Sequence, residues 1–277
     1  MFLRSKDTIE TFNEEKIIDN LRALSIDMIH EANSGHPGIA LGAAPILYTL
    51  YAKHLKSNPK DCSWINRDRF IMSCGHGSSL LYSTLYLSGY DISLEDLKKF
   101  REFKSITPGH PEYGVTPGVD MTTGPLGEGI ASAVGMALGE SYLREYYHKK
   151  NLNIIDYYTY VMCSDGDLME GTSYEALSLA GTLKLNKLIV LYDSNNICLD
   201  GEVNKVFNVD VEKYFSSLNF NVLTVDGNDF NAIDSAIRKA KTGLLPTAII
   251  INTTIGKYSK WEKTNTVHGT PLTTEDI

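Results

Sequence analysis

Two residues far apart in the chain, Asp165 and Asn195, carry the most readable chemistry. Each follows a run that reads as a β-strand, residues 157–163 (YYTYVMC) and 188–192 (LIVLY), and residues 170–183 between them read as a helix. Parallel strands joined by a helix end on the same edge of their sheet. The pattern therefore predicts that the turns Ser164-Asp165-Gly166-Asp167 and Asp193-Ser194-Asn195-Asn196 lie side by side. A carboxylate, an amide carbonyl and nearby backbone carbonyls are hard oxygen ligands, suited to a Mg²⁺ or Ca²⁺ ion that also holds a phosphate. The expected occupant is a metal-anchored diphosphate group.

Four histidines stand in short glycine-rich contexts: His36 in SGHPG, His76 in CGHGSS, His110 in TPGHPE and His268 in VHGTPL. One loop histidine is most often a surface or structural residue. Four in one kind of context suggest a site, because glycine lets backbone approach a ligand and imidazole donates, accepts or shuttles protons near neutral pH. Such a cluster suits polar sugar hydroxyls and proton transfer. Gly124-Pro125-Leu126-Gly127 opens a long helix. It reads either as ordinary start chemistry, with Pro near the first helical position, or as backbone pressed against a flat heterocycle. Glu170 and Glu175 read first as a helix N-terminal carboxylate and a solvated one.

The elements that must position these groups follow from periodicity. Residues 13–32 read as an amphipathic helix stopped by Asn33-Ser34-Gly35, and residues 41–55 as a second helix. A strand is expected at 69–74 and helices at 78–87 and 94–103, the last opened by a Ser93/Asp96 capping box. Residues 107–125, rich in Gly and Pro, form a loop long enough to be functional. The helix over 126–148 contains Gly129, Gly135 and Gly139, which close backbone packing would explain. Strand 221–225, helix 230–241 and strand 247–252 complete the series. The alternation predicts an α/β fold, a doubly wound and mostly parallel sheet with helices on both faces, in a single domain over residues 1–277. Ligands of such sheets lie beyond the carboxyl ends of the strands. A nucleotide-binding reading lacks both G-x-G-x-x-G after the first strand and G-x-x-x-x-G-K-[ST].

Composition narrows the classes. The chain has 277 residues, 43% hydrophobic and 22% charged, with a net charge of −8. That balance argues against nucleic acid or an anionic membrane surface as the main partner. The four cysteines, Cys62, Cys74, Cys163 and Cys198, have neither C-x-x-C nor zinc-ligand spacing. Residues 1–12 lack the apolar core of a signal peptide, and no run approaches the length of a membrane span. A reducing, cytoplasmic setting is the default expectation.

Taken in order, the motifs resemble the transketolase family. They are GHPG at 35–38, DRFIMSCGHGSSLLY at 68–82, TPGHPE at 107–112, TTGPLGEGI at 122–130, SDGDLMEGTSYEALSLAG at 164–181, YDSNNICLDG at 192–201 and HGTPL at 268–272. Long motifs in register over nearly the whole chain are far more specific than any one alone. The resemblance implies thiamine diphosphate and a divalent metal, used to move two-carbon ketol units between sugar phosphates. It implies that Asp165, the side chain of Asn195 and the backbone carbonyl of Ile197 ligate the metal. Gly166 would lie against the diphosphate, and Gly124, Pro125 and Leu126 would face the cofactor rings. His76 and His268 would lie near the diphosphate and reaction centre, His36 and His110 would hold substrate hydroxyls, and His268 is the candidate proton carrier. Glu170 and Glu175 match a carboxylate pair near a homodimer interface.

Ser164 stands where the family usually has glycine, and Glu128 where it usually has glutamine. The resemblance covers a diphosphate-binding domain only. The pyrimidine-binding domain, whose glutamate activates the cofactor, and the C-terminal domain have no counterpart in this chain. They are expected from a longer chain or from a second subunit, and the chain alone is expected to be inactive. A dihydroxyacetone synthase-like ketol transferase would share these motifs. A non-catalytic module that binds cofactor or a partner chain is the alternative of a different class.

Overall fold

The computed structural model describes residues 13–148, 152 and 154–276. The segment 1–12, read above for a signal peptide, lies outside the described residues. Helix α1 (Glu14–Ala32) is capped by Asn13, whose side chain accepts from the Lys16 N–H, and ends at Asn33 in left-handed backbone. Helix α2 (Pro37–Lys53) begins four residues before the expected start, with Pro37 in its first turn. Strand β1 (Arg69–Met72) leads through a short turn of 3₁₀-helix at Gly75–Gly77 into α3 (Ser78–Leu87). The Ser93/Asp96 capping box is present, but α4 (Leu94–Lys98) stops well short of 103. The chain breaks there because Phe100 turns inward and Arg101 takes φ 66, its N–H donating to the Thr107 carbonyl. The loop that follows runs without a regular element to α5 (Glu128–Tyr146).

Next come β2 (Thr159–Ser164), the one-turn α6 (Asp165–Met169), α7 (Gly171–Thr182) and β3 (Leu188–Ser194). The expected turn at 164–167 is thus helical from Asp165 on. A small antiparallel pair, β4 (Ile197–Cys198) and β5 (Gly201–Glu202), precedes α8 (Val211–Ser217). Strand β6 (Asn221–Asp226), α9 (Phe230–Ala240), β7 (Thr247–Asn252) and the short α10 (Thr266–Gly269) close the series. Among the described residues, no helix is long and apolar enough to cross a membrane.

The main sheet runs β1-β2-β3-β7-β6 with every neighbouring pair parallel. Alternate strand residues bury on opposite faces. Val161, Val190 and Ile250 pack with Ile130 of α5, Leu177 of α7 and Phe215 of α8. Tyr160, Leu191 and Ile249 pack with residues of α1, α2 and α9, such as Ile29, Ile46 and Ile237. The topology explains this division. Right-handed crossovers that advance along the sheet put α5, α7 and α8 on one face, and the single step back from β6 to β7 puts α9 on the other. The doubly wound sheet read from the sequence is what the chain forms.

Of the three glycines in α5, close packing accounts for Gly129 alone. A Cβ there would lie 2.5 Å from Ser73 Cα, whereas at Gly135 and Gly139 it would meet nothing within 4 Å.

Candidate active site

The carboxyl ends of β1, β2, β3 and β7 share one edge of the sheet, and the motif residues collect there. Ser164 pairs with Asp193 across β2 and β3. Asp165 therefore emerges one residue beyond β2, next to the turn that carries Asn195. Asp165 is buried, and one carboxylate oxygen accepts from the Tyr192 hydroxyl. The other, Oδ2, is buried without a partner among the described residues. Burial pushes this carboxyl up to about 6. An orphaned buried carboxylate oxygen is costly unless something cationic meets it.

Asn195 donates from Nδ2 to Asp193 Oδ2 at 3.0 Å, while its Oδ1 accepts from the Ile197 N–H at 3.0 Å. A carboxylate only accepts, so the amide cannot flip, and a carbonyl oxygen has a second lone pair to spare. Asp193 is in turn held by the Thr253 hydroxyl, beyond β7. Burial pushes Asp193 up to about 6 as well. Among the described residues no three His, Cys, Asp or Glu side chains are disposed to hold a metal ion. The Asp165 carboxylate, the Asn195 amide oxygen and the backbone carbonyl of Ile197 are oxygens of the chemical kind that a hard divalent cation takes.

Asp167 is a residue that sequence reasoning passed over as part of a turn. Its Oδ1 accepts from the Ser73 hydroxyl at 2.6 Å and the Gly127 N–H at 2.9 Å, and its Oδ2 from the Ser164 N–H at 3.0 Å. One carboxylate thus ties the ends of β1 and β2 to the start of α5. Ser164 itself has φ −127, extended backbone open to any residue, so the departure from glycine leaves the turn unstrained. Gly127 sits at φ 82, and a side chain there would strike Thr172 and Ser173. Leu126 is 38% exposed, and a Cβ on Gly166 would come within 3.0 Å of its Cδ1. The Gly124-Pro125-Leu126 segment and the Asp165 turn are therefore neighbours.

Three of the four histidines form one cluster. Ring centroids lie 5.2 Å apart for His36 and His76, 5.1 Å for His76 and His268, and 5.8 Å for His36 and His268. His36 caps α2, His76 follows β1 and His268 sits on α10. His110 approaches from the long loop, its ring 3.7 Å from where a Cβ on Gly124 would stand. Ser78 and Tyr82 of α3 hold this loop through the carbonyls of Gly109, Pro108 and His110. Burial and neighbouring bases lower His36 to about 4 and His76 well below the ordinary imidazole value. Burial lowers His110 and His268 too, with Arg101 adding to the effect on His110. The rings are neutral at physiological pH, able to donate and accept. Glu170 and Glu175 are exposed and take no part in this cluster.

Comparison with known proteins gives the family and the fold. Residues 13–277 match the family model described as "Transketolase, thiamine diphosphate binding domain". The chain is 54% identical to transketolase from Bacillus subtilis over 273 residues, which are 98% of this chain and 40% of that one. It is 55% identical over 265 residues to transketolase from Staphylococcus aureus, again covering 40% of the relative. The chain thus spans about 40% of the length of the curated relatives it matches. Among solved structures, transketolase from Leishmania mexicana superposes with a TM-score of 0.94 at 46% identity, covering 95% of this chain and 40% of that one. The Pichia stipitis transketolase complex with sedoheptulose-7-phosphate does so with a TM-score of 0.94 at 47% identity, covering 95% and 39%. The chain therefore belongs to the transketolase family through its thiamine diphosphate-binding domain.

Proposed function

We propose that this chain is the thiamine diphosphate- and metal-binding part of an enzyme that transfers two-carbon ketol units between sugar phosphates. The observation that carries the metal is the unpartnered, buried Oδ2 of Asp165 beside an orientation-locked Asn195. Asp165, Asn195 and the Ile197 carbonyl would hold Mg²⁺, or Ca²⁺, against the diphosphate. Gly166 and Leu126 make the neighbouring surface, with Gly124, Pro125, His76 and His268 toward the cofactor rings. Thiamine diphosphate, when bound, supplies an electron sink for the carbanion left by carbon–carbon cleavage beside a carbonyl.

The chain's own residues do the rest. His36 and His110 hold sugar hydroxyls, and His268 carries the proton at the reaction centre. Their neutral rings are suited to both hydrogen bonding and proton transfer. Sugar-phosphate substrates are supported by the relative solved with sedoheptulose-7-phosphate. The remaining groups of the active site are assigned to a pyrimidine-binding domain, met across a homodimer interface, and the chain alone is expected to turn over no sugar phosphate.

Calorimetric titration with thiamine diphosphate tests the reading. Binding is expected with Mg²⁺, lost with EDTA, and absent in Asp165→Ala under both conditions. An Asp165→Ala chain that binds the cofactor as tightly as the parent would refute the metal assignment.

A further inference from the structure

Arg101 has no role in the motifs described above. It takes φ 66, left-handed backbone that costs a non-glycine residue about 1–2 kcal/mol. Its guanidinium is wedged in the site. Nη1 donates to Ser34 Oγ at 2.9 Å, and Nη2 lies 3.4 Å from His36 Nδ1. Gly109 backs the group closely, since a side chain there would begin 3.5 Å from Arg101 Cζ and Nε. Arg101 Nε is buried and has no partner among the described residues. A buried, unmet N–H costs about 1–3 kcal/mol. Both burdens fall on a residue that touches the histidine cluster.

A guanidinium has five N–H donors and no acceptor. Its contact with His36 therefore needs a lone pair on Nδ1, which places the single imidazole proton on Nε2. The other titratable groups facing His36 are His76, His110 and His268, all of them bases. The residue also stands at the N-cap position of α2, at the positive end of the helix dipole, with no capping bond from its ring. None of these surroundings favours a second proton on the ring. Nε2 lies toward the other side, 3.7 Å from where a side chain on Gly269 would begin.

We propose that Arg101 is a positioning residue that holds His36 as its neutral Nε2–H tautomer, so that His36 presents one fixed N–H donor to the site. His36 then donates a hydrogen bond to an oxygen of the bound sugar and leaves proton carriage to other histidines. That last step rests on the proposed function; the tautomer does not.

Imidazole ¹H–¹⁵N spectra of the labelled chain, with His36→Gln for assignment, read the tautomer directly. The expected result is a protonated-type Nε2 and an unprotonated-type Nδ1 in the parent. In Arg101→Gln the tautomer preference weakens, and the His36 titration moves up part of the way toward the ordinary value, burial and His268 accounting for the rest. A proton on Nδ1 in the parent overturns the proposal. So does an Arg101→Gln chain whose tautomer and titration are unchanged. If that variant fails to fold, Ser34→Ala, which frees the guanidinium from one partner, is expected to shift the titration the same way by less, and no shift overturns the role of Arg101. The spectra need no sugar or cofactor, so failure here and failure of the proposed function are separable.

Discussion

Alanine at three glycines of one helix should give opposite results. At Gly129 a methyl group would lie 2.5 Å from Ser73 Cα, 2.6 Å from its Cβ and 2.7 Å from its Oγ. Backbone cannot swing aside as a side-chain tip can, so α5 must move off the end of β1. Overpacking of this kind costs about 1–3 kcal/mol. The movement also strains the bond from the Ile130 N–H to Ser73 Oγ and the bond from Ser73 to Asp167, each worth about 1 kcal/mol. Alanine regains about 1 kcal/mol of helix propensity. The net expectation for Gly129→Ala is a loss of about 2 kcal/mol. At Gly135 and Gly139 a Cβ would meet no described atom within 4 Å beyond the helix's own backbone, so only the propensity gain of about 1 kcal/mol remains. The gap between Gly129→Ala and Gly135→Ala is then about 3 kcal/mol, or roughly 6–12 °C in Tm for a chain of this size. Urea unfolding followed by far-UV circular dichroism, with thermal melts alongside, measures it. If Gly129→Ala is as stable as Gly135→Ala, the close approach of α5 to β1 is not what requires glycine.

Other perturbations separate the parts of the site. Asp167→Ala should cost about 3 kcal/mol or more in urea unfolding, because the Ser73 hydroxyl and the Gly127 and Ser164 N–H groups lose a buried acceptor; a loss under 1 kcal/mol would show that water replaces it easily. His110→Ala should leave metal-dependent thiamine diphosphate binding intact by calorimetry and raise the KM for sugar phosphate in the completed enzyme; equal loss of both would move His110 into the cofactor site. Acid should weaken the fold partly through His36. Its folded value of about 4 lies below the unfolded value of about 6.5, so protons enter the unfolded state first as the pH falls through that window. Between about pH 7.5 and 5.5 the parent should lose up to about 1 kcal/mol more than His36→Gln; equal losses in the two would mean that His36 titrates normally.

Where geometry is set by local sequence, it is readable. Two apolar strand runs and the helix between them place Asp165 beside the Asn195 turn, and of the four glycine-flanked histidines three come together in one cluster. Other features could not be read because their partners are distant. Asp167 takes its donors from Ser73 and Gly127, and Asp193 takes one from Thr253, across 94, 40 and 60 positions. Nothing in the turns themselves distinguishes these carboxylates from solvated ones. The start of α2 was misplaced for another reason. Every residue from Pro37 to Leu50 is buried, so the helix has no amphipathic stripe and only Pro37 marks its beginning. Helix α8 is seven residues with one buried side chain, Phe215, too short to show a period.

The position of β7 bears on how the chain is made. It is the last strand of the sheet in sequence, yet it lies between β3 and β6 and pairs with both. While the nascent chain is shorter than about 250 residues, the apolar edge of β3 stands open and β6 has no neighbour to bond, the condition in which strands recruit foreign ones. The residue that follows β7, Thr253, is the one that braces Asp193 and through it Asn195. Ribosome-bound intermediates that lack this strand should therefore carry Asp193 and Asn195 without the brace that orients them.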